Sequence, residues 1–351
     1  MRAVQLVAVG APLEIRDVPQ PEPGEDQVLV KVSGCGVCHT DIGFWKDGVP
    51  TNKALPLTLG HEISGKVIAT GPQYSQLLDR EVIVPAVMPC GDCELCNAGR
   101  GNICRKQLMP GNDMDGGFAE YIAVPGRGLC VVEDRGGYEL PELSVIADAV
   151  TTPYQAIHRS GLAAGDLAIV VGVGGVGTYC AQIAAAFGAR VVAIDVDSAR
   201  LDAIAAHGVG LTINSADTDF KALKKQVRAQ AKEWGCADHS WKIFECSGSP
   251  GGQETAYGLL TYASTLLVVG FTLAKLELRL SNAMAFDATI QGTWGCKPEL
   301  YPDALKLVIE QKITMKPFVE MHPMSAAPEL LQRAADHEFQ KRVILTPDWT
   351  A

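Results

Sequence analysis

The chain has 351 residues, 47% hydrophobic and 6% aromatic, more than one simple core holds, so two domains are expected. A formal net charge of -10 argues against a nucleic-acid partner, whose phosphates need clustered Lys and Arg, though it leaves room for a basic spot facing one anionic ligand. No run approaches the ~18 apolar residues of a bilayer span, and Pro and charge break the N-terminal apolar stretch too early for a signal peptide; no membrane partner and a cytoplasmic location are expected.

In chain order, the first 150 residues read as short β-type runs at 28–32, 62–69, 81–87 and 118–124, punctuated by Gly and Pro. This is the texture of an irregular β domain. Gly34-Cys35-Gly36-Val37-Cys38-His39-Thr40-Asp41 follows the first run, and Gly60-His61-Glu62 opens the second. Singly, each Cys or His is more often a packed residue than a ligand. Together they bring a thiolate, an imidazole and acidic neighbours to one loop cluster. A catalytic zinc needs three protein ligands and one place for water or substrate; the spacing by itself leaves the third ligand open.

Further on, Cys90-x2-Cys93-x2-Cys96-x7-Cys104 places four thiolates within fifteen residues. Four soft ligands close a tetrahedron around Zn²⁺, so this reads as a structural site. It lies in a Gly-, Asp- and Asn-rich stretch with little to bury, where a metal can substitute for a core. A bacterial iron–sulfur run has shorter spacing and a following Pro. The eleven cysteines are an odd number with no export signal, which argues against a disulfide framework. Cys130, Cys180, Cys236, Cys246 and Cys296 read as small buried hydrophobes.

From Asp166 onward strands alternate with helices: 167–171, 176–187, 190–195 and 198–207, with later strands at 241–246 and 264–270. That alternation predicts βαβ units and a parallel sheet covered on both faces. Gly172-Val173-Gly174-Gly175-Val176-Gly177 links the first of these strands to its helix, a G-x-G-x-x-G turn in the required context. The first glycine permits the tight turn, the second admits the pyrophosphate, and Gly177 lets helix pack on strand. The next strand ends at Asp195, placed to accept from ribose hydroxyls and to repel a 2′-phosphate, which favours NAD over NADP. Beyond Trp294, helices are expected at 298–311 and 325–337 and a last strand at 342–345. This tail lacks a nucleotide-binding pattern, so most of it is expected to return to the first domain.

These residues resemble the zinc-dependent medium-chain alcohol dehydrogenase family: Gly60-His61-Glu62-x2-Gly65-x5-Gly71 matches its zinc signature, the cysteine quartet its structural lobe, and Gly172 to Gly177 its cofactor turn. The resemblance covers essentially the whole chain. It implies an α/β molecule: an irregular β-rich, GroES-like catalytic domain from residues 1–150 and 295–351, and a doubly wound parallel-sheet Rossmann domain over 151–294. It implies two zinc ions and NAD. Carried over by position, Cys38, His61 and Asp148 bind the catalytic zinc, with Asp148 standing where many relatives have Cys; an Asp oxygen is a sound zinc ligand. Glu62 either approaches the metal or supports its ligands, and Asp41 orients a ligand. Thr40 relays the hydroxyl proton, and Gly43 stands where many relatives have a proton-passing His. His39 serves proton exit or the cofactor pyrophosphate. Gly172, Gly174, Gly175, Val176, Gly177, Asp195, Arg200 and Arg342 are the implied cofactor contacts.

Segments 51–57, 109–114, 147–155 and 244–249, together with the C-terminal ending, are similar to one group in that family, the 6-hydroxycyclohex-1-ene-1-carbonyl-CoA dehydrogenases of anaerobic benzoyl-CoA (aromatic) degradation. The likeness implies oxidation of a cyclic allylic secondary alcohol on a CoA thioester to the 6-oxo compound. Lys46, Lys53 and Arg127 are the cations considered for the CoA phosphates. Phe44, Trp45 and Trp294 either line the substrate pocket or pack in the core. The alternatives are a generic zinc-dependent secondary-alcohol or polyol dehydrogenase and a non-catalytic dinucleotide-binding protein. Relatives are homodimers or homotetramers through the cofactor domain; the runs 264–270 and 276–280, read as neighbouring strands, form such an interface or are simply buried.

Overall fold

The computed structural model describes residues 1–349. Thr350 and Ala351, the end of the segment assigned above to the catalytic domain, lie outside the described residues. The chain divides into two compact units. One comprises Met1–Thr151, Gly295–Glu310 and the C-terminal segment from Met315; the other comprises Thr152–Trp294 and Gln311–Thr314.

The first unit begins with β1 (Arg2–Leu6), β2 (Glu14–Asp17) and β3 (Gln27–Gly36), followed by α1 (His39–Trp45). Then come β4 (Leu57–Thr58), β5 (Glu62–Thr70), β6 (Glu81–Val84), the one-turn α2 (Glu94–Asn97), β7 (Tyr121–Pro125) and β8 (Cys130–Val131). In β3, Val28, Leu29, Val30 and Val32 are buried and Lys31 is exposed, so the strand is covered on one face throughout and on part of the other. Antiparallel β3 and β5 form the centre, with Cys35 opposite Ile63 and Gly36 opposite Glu62. Their ends therefore deliver residues 38 and 61 to one place.

The second unit starts with α3 (Thr151–Ser160, its first residue belonging to the first unit) and β9 (Leu167–Val171). There follow α4 (Gly177–Ala186), β10 (Arg190–Asp195), α5 (Ser198–Ala205), β11 (Leu211–Asn214), α6 (Phe220–Glu233) and β12 (Lys242–Glu245). It closes with α7 (Pro250–Gly258), β13 (Thr265–Val268), α8 (Ser281–Ala285) and β14 (Thr289–Gly292). Its six strands are parallel in the order β11-β10-β9-β12-β13-β14. Order reverses between β9 and β12, and ligands bind in the crevice at the carboxyl ends of strands at such a switch point. β9 is buried at every position, as a central parallel strand requires.

The return to the first unit supplies α9 (Tyr301–Ile309), β15 (Val319–Pro323), α10 (Ala327–Ala335) and β16 (Arg342–Thr346). β16 pairs antiparallel with the end of β3, Leu345 opposite Cys35, which carries Arg342 toward the loop after β3. Two expectations change. Residues 276–280 form no strand, and β14 takes the sheet edge beside β13 instead; of the alternating leucines there, Leu278 packs on the core while Leu280 is 70% exposed. Helix α6 was not anticipated, although Asp219 caps its first N–H groups and Leu223, Val227 and Ala231 recur every four residues on its buried face.

Candidate metal and dinucleotide sites

Cys38 is the N-cap of α1, and Asp41 at the third helical position reaches back to accept from Cys38 N at 3.0 Å. The other Asp41 oxygen accepts from Gly60 N at 3.1 Å and lies 3.3 Å from His61 Nδ1. One fully buried carboxylate thus ties the Cys38 loop to the His61 loop and orients the imidazole. With Nδ1 facing Asp41, Nε2 is turned toward the remaining ligand atoms. Nε2 lies 3.7 Å from Asp148 Oδ2, and Cys38 Sγ lies 3.8 Å from the same oxygen.

Cys38, His61, Glu62 and Asp148 place one ligand atom each within 4.8 Å of one another. The buried His61 Nε2, on the side away from Asp41, has no hydrogen-bond partner, the mark of an imidazole shaped for another ligand. Thiolate, imidazole and carboxylate form a chemically suitable zinc set. Glu62 is otherwise engaged: Arg342 Nε donates to Oε2 at 2.7 Å and Nη2 donates to Oε1. Burial pushes the Glu62 carboxyl above its ordinary range, against the pull of Arg342. Arg342, expected among the cofactor contacts, holds its guanidinium against Glu62. Thr40 Oγ1 stands 3.7 Å from Cys38 Sγ. The His39 ring stacks on His337, with centroids 6.1 Å apart.

In the cysteine lobe, Sγ separations are 3.4 Å for Cys93–Cys96, 3.6 Å for Cys93–Cys104, 3.5 Å for Cys104–Cys90 and 3.9 Å for Cys90–Cys96. A zinc tetrahedron with bonds of about 2.3 Å has sulfur–sulfur edges of about 3.8 Å, so the quartet fits the ion. Gly91 N and Lys106 N each approach a sulfur at 3.3 Å, from Cys96 and Cys104 respectively. Hydrogen bonds from the Cys96 backbone and thiol bring the Cys93 thiol down to about 7. Its neighbours move the other way, the Cys90 thiol pushed up to about 12 by its hydrogen bond to Asp92 and the Cys96 thiol pushed up by burial.

In the second unit, Gly172 has φ +87°, and a Cβ there would lie 2.5 Å from Ser247 Cα. A Cβ on Gly177 would lie 1.7 Å from Gly172 O, whereas one on Gly174 would meet only the tip of Arg200 at 3.5 Å. The turn is closed by its first and last glycines and open at the middle one. Gly175 and Val176 complete it, with Val176 as the N-cap of α4. Asp195 is buried at the end of β10; Oδ2 accepts from Val173 N at 2.7 Å and Oδ1 from Asp197 N at 3.0 Å. Arg200 lies 3.6 Å from Asp197.

Two of the three cations named for the CoA phosphates are paired with carboxylates. Lys46 pairs with Asp336 at 3.5 Å and Lys53 with Asp115 at 2.6 Å, while the Arg127 guanidinium lies against Gly91. Phe44 and Trp45 are each 5% exposed and belong to the core of the first unit; Trp294 is 46% exposed. The pairing of Arg342 with Glu62 left no local signal, since the partners are 280 residues apart.

Residues 24–134 match the alcohol dehydrogenase GroES-like domain and residues 175–310 the zinc-binding dehydrogenase model. An alcohol dehydrogenase of Geobacillus stearothermophilus is 30% identical over 336 residues, 95% of each chain. L-galactonate-5-dehydrogenase of Escherichia coli (strain K12) is 30% identical over 295 residues, 84% of this chain and 83% of that one. The crystal structure of galactitol-1-phosphate dehydrogenase from Escherichia coli superposes with a TM-score of 0.88 at 25% identity, over 99% of this chain and 100% of that one. The fold class is the one the motifs imply, and with a closed cysteine quartet, an open Cys–His–carboxylate cluster and a glycine-turn sheet, the chain belongs to the zinc-dependent alcohol dehydrogenase family.

Proposed function

We propose that the chain is a cytoplasmic, NAD-dependent secondary-alcohol or polyol dehydrogenase in which Cys38, His61 and Asp148 hold the catalytic zinc and the cysteine quartet holds the structural one. The observation that carries this reading is the convergence of one sulfur, one imidazole nitrogen and one carboxylate oxygen, from three separate segments, while Glu62 is held by Arg342. A zinc ion so bound supplies Lewis acidity to a substrate oxygen, and a bound nicotinamide supplies the hydride acceptor. Asp41 faces His61 Nδ1 and so turns Nε2 toward Cys38 and Asp148. Thr40 Oγ1 takes the proton that leaves the substrate hydroxyl and passes it to solvent, since position 43 is Gly. With NAD⁺ held there, hydride from the carbinol carbon would go to the nicotinamide, so that alcohol and NAD⁺ would give ketone, NADH and H⁺. Asp195, ending β10, receives the adenosine ribose.

The relatives named above are called after an alcohol, L-galactonate and galactitol 1-phosphate, which supports a hydroxyl-rich or simple secondary alcohol. A narrower second reading is favoured by segments 51–57, 109–114, 147–155 and 244–249: a cyclic allylic alcohol on a CoA thioester, within aromatic degradation. The ion pairs at Lys46 and Lys53 weigh against a ready-made phosphate clamp there. We also place the exposed edge of the parallel sheet at a contact between copies, as a homodimer or homotetramer.

Following NADH formation at 340 nm on a panel of secondary alcohols, polyols and the cyclic hydroxyacyl-CoA decides the substrate. A kcat/KM at least about a hundredfold higher for the CoA ester, about 2.7 kcal/mol of transition-state binding, selects the narrower reading. Similar or better rates on free alcohols select the broader one. Asp148→Asn, folded, should lose several orders of magnitude in kcat/KM with either substrate; normal turnover removes Asp148 from the ligand set.

A further inference from the structure

A buried hydroxyl network outside the donor set bears on the Asp148 carboxylate. Asp148 stands at the break between a 3₁₀ turn, Pro141–Ala147, and helix α3, with φ -140° and ψ -56°. The carbonyl of Ala147 ends that turn, where the last carbonyls lack intrahelical donors. Two side chains supply them. Thr151 Oγ1 donates at 3.1 Å, and the Tyr301 hydroxyl donates to the same oxygen. The Tyr301 hydroxyl also accepts from Ala86 N at 3.1 Å, so its one proton is left for Ala147. Ala147, Thr151 and Tyr301 are fully buried and Ala86 nearly so.

We propose that Tyr301 and Thr151 are positioning residues for the zinc-ligand carboxylate of Asp148, acting through the Ala147 carbonyl. The proposal rests on the reading of Asp148 as a ligand. The peptide joining Ala147 to Asp148 is a rigid plane. Fixing its oxygen from two directions fixes the plane, and with it the point from which the Asp148 side chain starts toward Cys38 and His61. The preceding turn ends at Ala147 and α3 begins at Thr151, so Asp148 lies between the two elements. Metal–oxygen bonds tolerate a few tenths of an ångström, so a carboxylate on a loosened peptide binds less well. Tyr301 opens α9 in the returning segment, 154 residues beyond Ala147, so the C-terminal part of the chain helps complete the metal site without contributing a ligand.

The test is chelator competition on the zinc-loaded protein. Two zinc ions per chain are titrated with a chromogenic chelator in wild type, Tyr301→Phe, Thr151→Val, Thr151→Ser and Asp148→Asn. Absorption of the Cys38 thiolate with Co²⁺ in the catalytic site is read in parallel. Outer partners of metal ligands are worth about 10–100-fold in affinity. Tyr301→Phe and Thr151→Val should release the weaker ion about tenfold or more readily and shift the cobalt spectrum. Thr151→Ser should match wild type, the quartet zinc should not change, and KM for NAD⁺ should hold. If Asp148→Asn retains zinc like wild type, the ligand reading itself fails. If Asp148→Asn loses zinc while Tyr301→Phe and Thr151→Val keep it unchanged, the positioning proposal alone is overturned. Should Tyr301→Phe not fold, Thr151→Val, which keeps the phenol, carries the test.

Discussion

Glu62 gives both carboxylate oxygens to one guanidinium, where its own side chain is 0% exposed and that of Arg342 is 7%. Intact, such a pair adds little stability, because desolvation offsets attraction. Removing one partner leaves a buried charge uncompensated and costs about 3–5 kcal/mol. Arg342→Gln is therefore expected to destabilise the first unit by about that amount, and Glu62→Gln with Arg342→Gln to recover most of the loss. Urea unfolding of the four chains gives the coupling directly; an unchanged midpoint for Arg342→Gln refutes a desolvated pair. Asp195 poses a different residue-scale question, since both its oxygens already accept backbone N–H groups at 2.7 and 3.0 Å. It shapes the glycine turn while keeping lone pairs for a ribose hydroxyl. Asp195→Ala should then raise KM for NAD⁺ about tenfold or more, as loss of hydrogen bonds to a charged acceptor at about 1.5–3 kcal/mol implies, with smaller losses in kcat. Initial rates across NAD⁺ concentrations decide it.

At the scale of elements, the three glycines separate folding from binding. Gly177→Ala drives a methyl into Gly172 O and should unfold or strongly destabilise the β9–α4 junction. Gly174→Ala finds space in the protein, so it should melt close to wild type yet bind NAD⁺ poorly if, as proposed, the pyrophosphate approaches that backbone. Thermal melts with and without cofactor distinguish the two; equal behaviour means that Gly174 does not face the ligand. The turn was legible in sequence because strand, turn and helix are contiguous and the glycines fall within six residues between them. The cysteine quartet was legible for the same reason: its four sulfurs lie within fifteen residues. Helix α6 also had a local signal, an Asp cap and apolar residues four apart, obscured by its many charged residues. By contrast, alternating leucines at 276–280 imitated a strand because alternation does not reveal whether a partner strand is present.

At the scale of the molecule, what sequence could not supply is long-range closure. Asp148 meets Cys38 across 110 residues, and Arg342 meets Glu62 across 280. Neither meeting has a periodicity, so the first came only through family likeness and the second not at all. The parallel sheet has a further unclosed feature. β14 pairs with β13 on one side and, among the described residues, with no strand on the other. Its Ile290 is 43% exposed, and nearby in sequence Phe271, Leu280 and Met284 are 59%, 70% and 75% exposed. Free strand edges invite pairing unless charge, Pro or a bulge guards them, and residues 289–292, Thr-Ile-Gln-Gly, carry none of the guarding residue types. A two-fold axis at this edge would pair β14 with the same strand of a second copy and cover those apolar side chains, an isologous contact that closes. Sedimentation velocity should thus find a dimer or tetramer at micromolar concentration. Ile290→Lys, which leaves the sheet core untouched, should shift the chain toward monomer with its circular dichroism unchanged. A wild-type chain that sediments as a monomer, or a lysine variant that stays assembled, would place any assembly surface elsewhere.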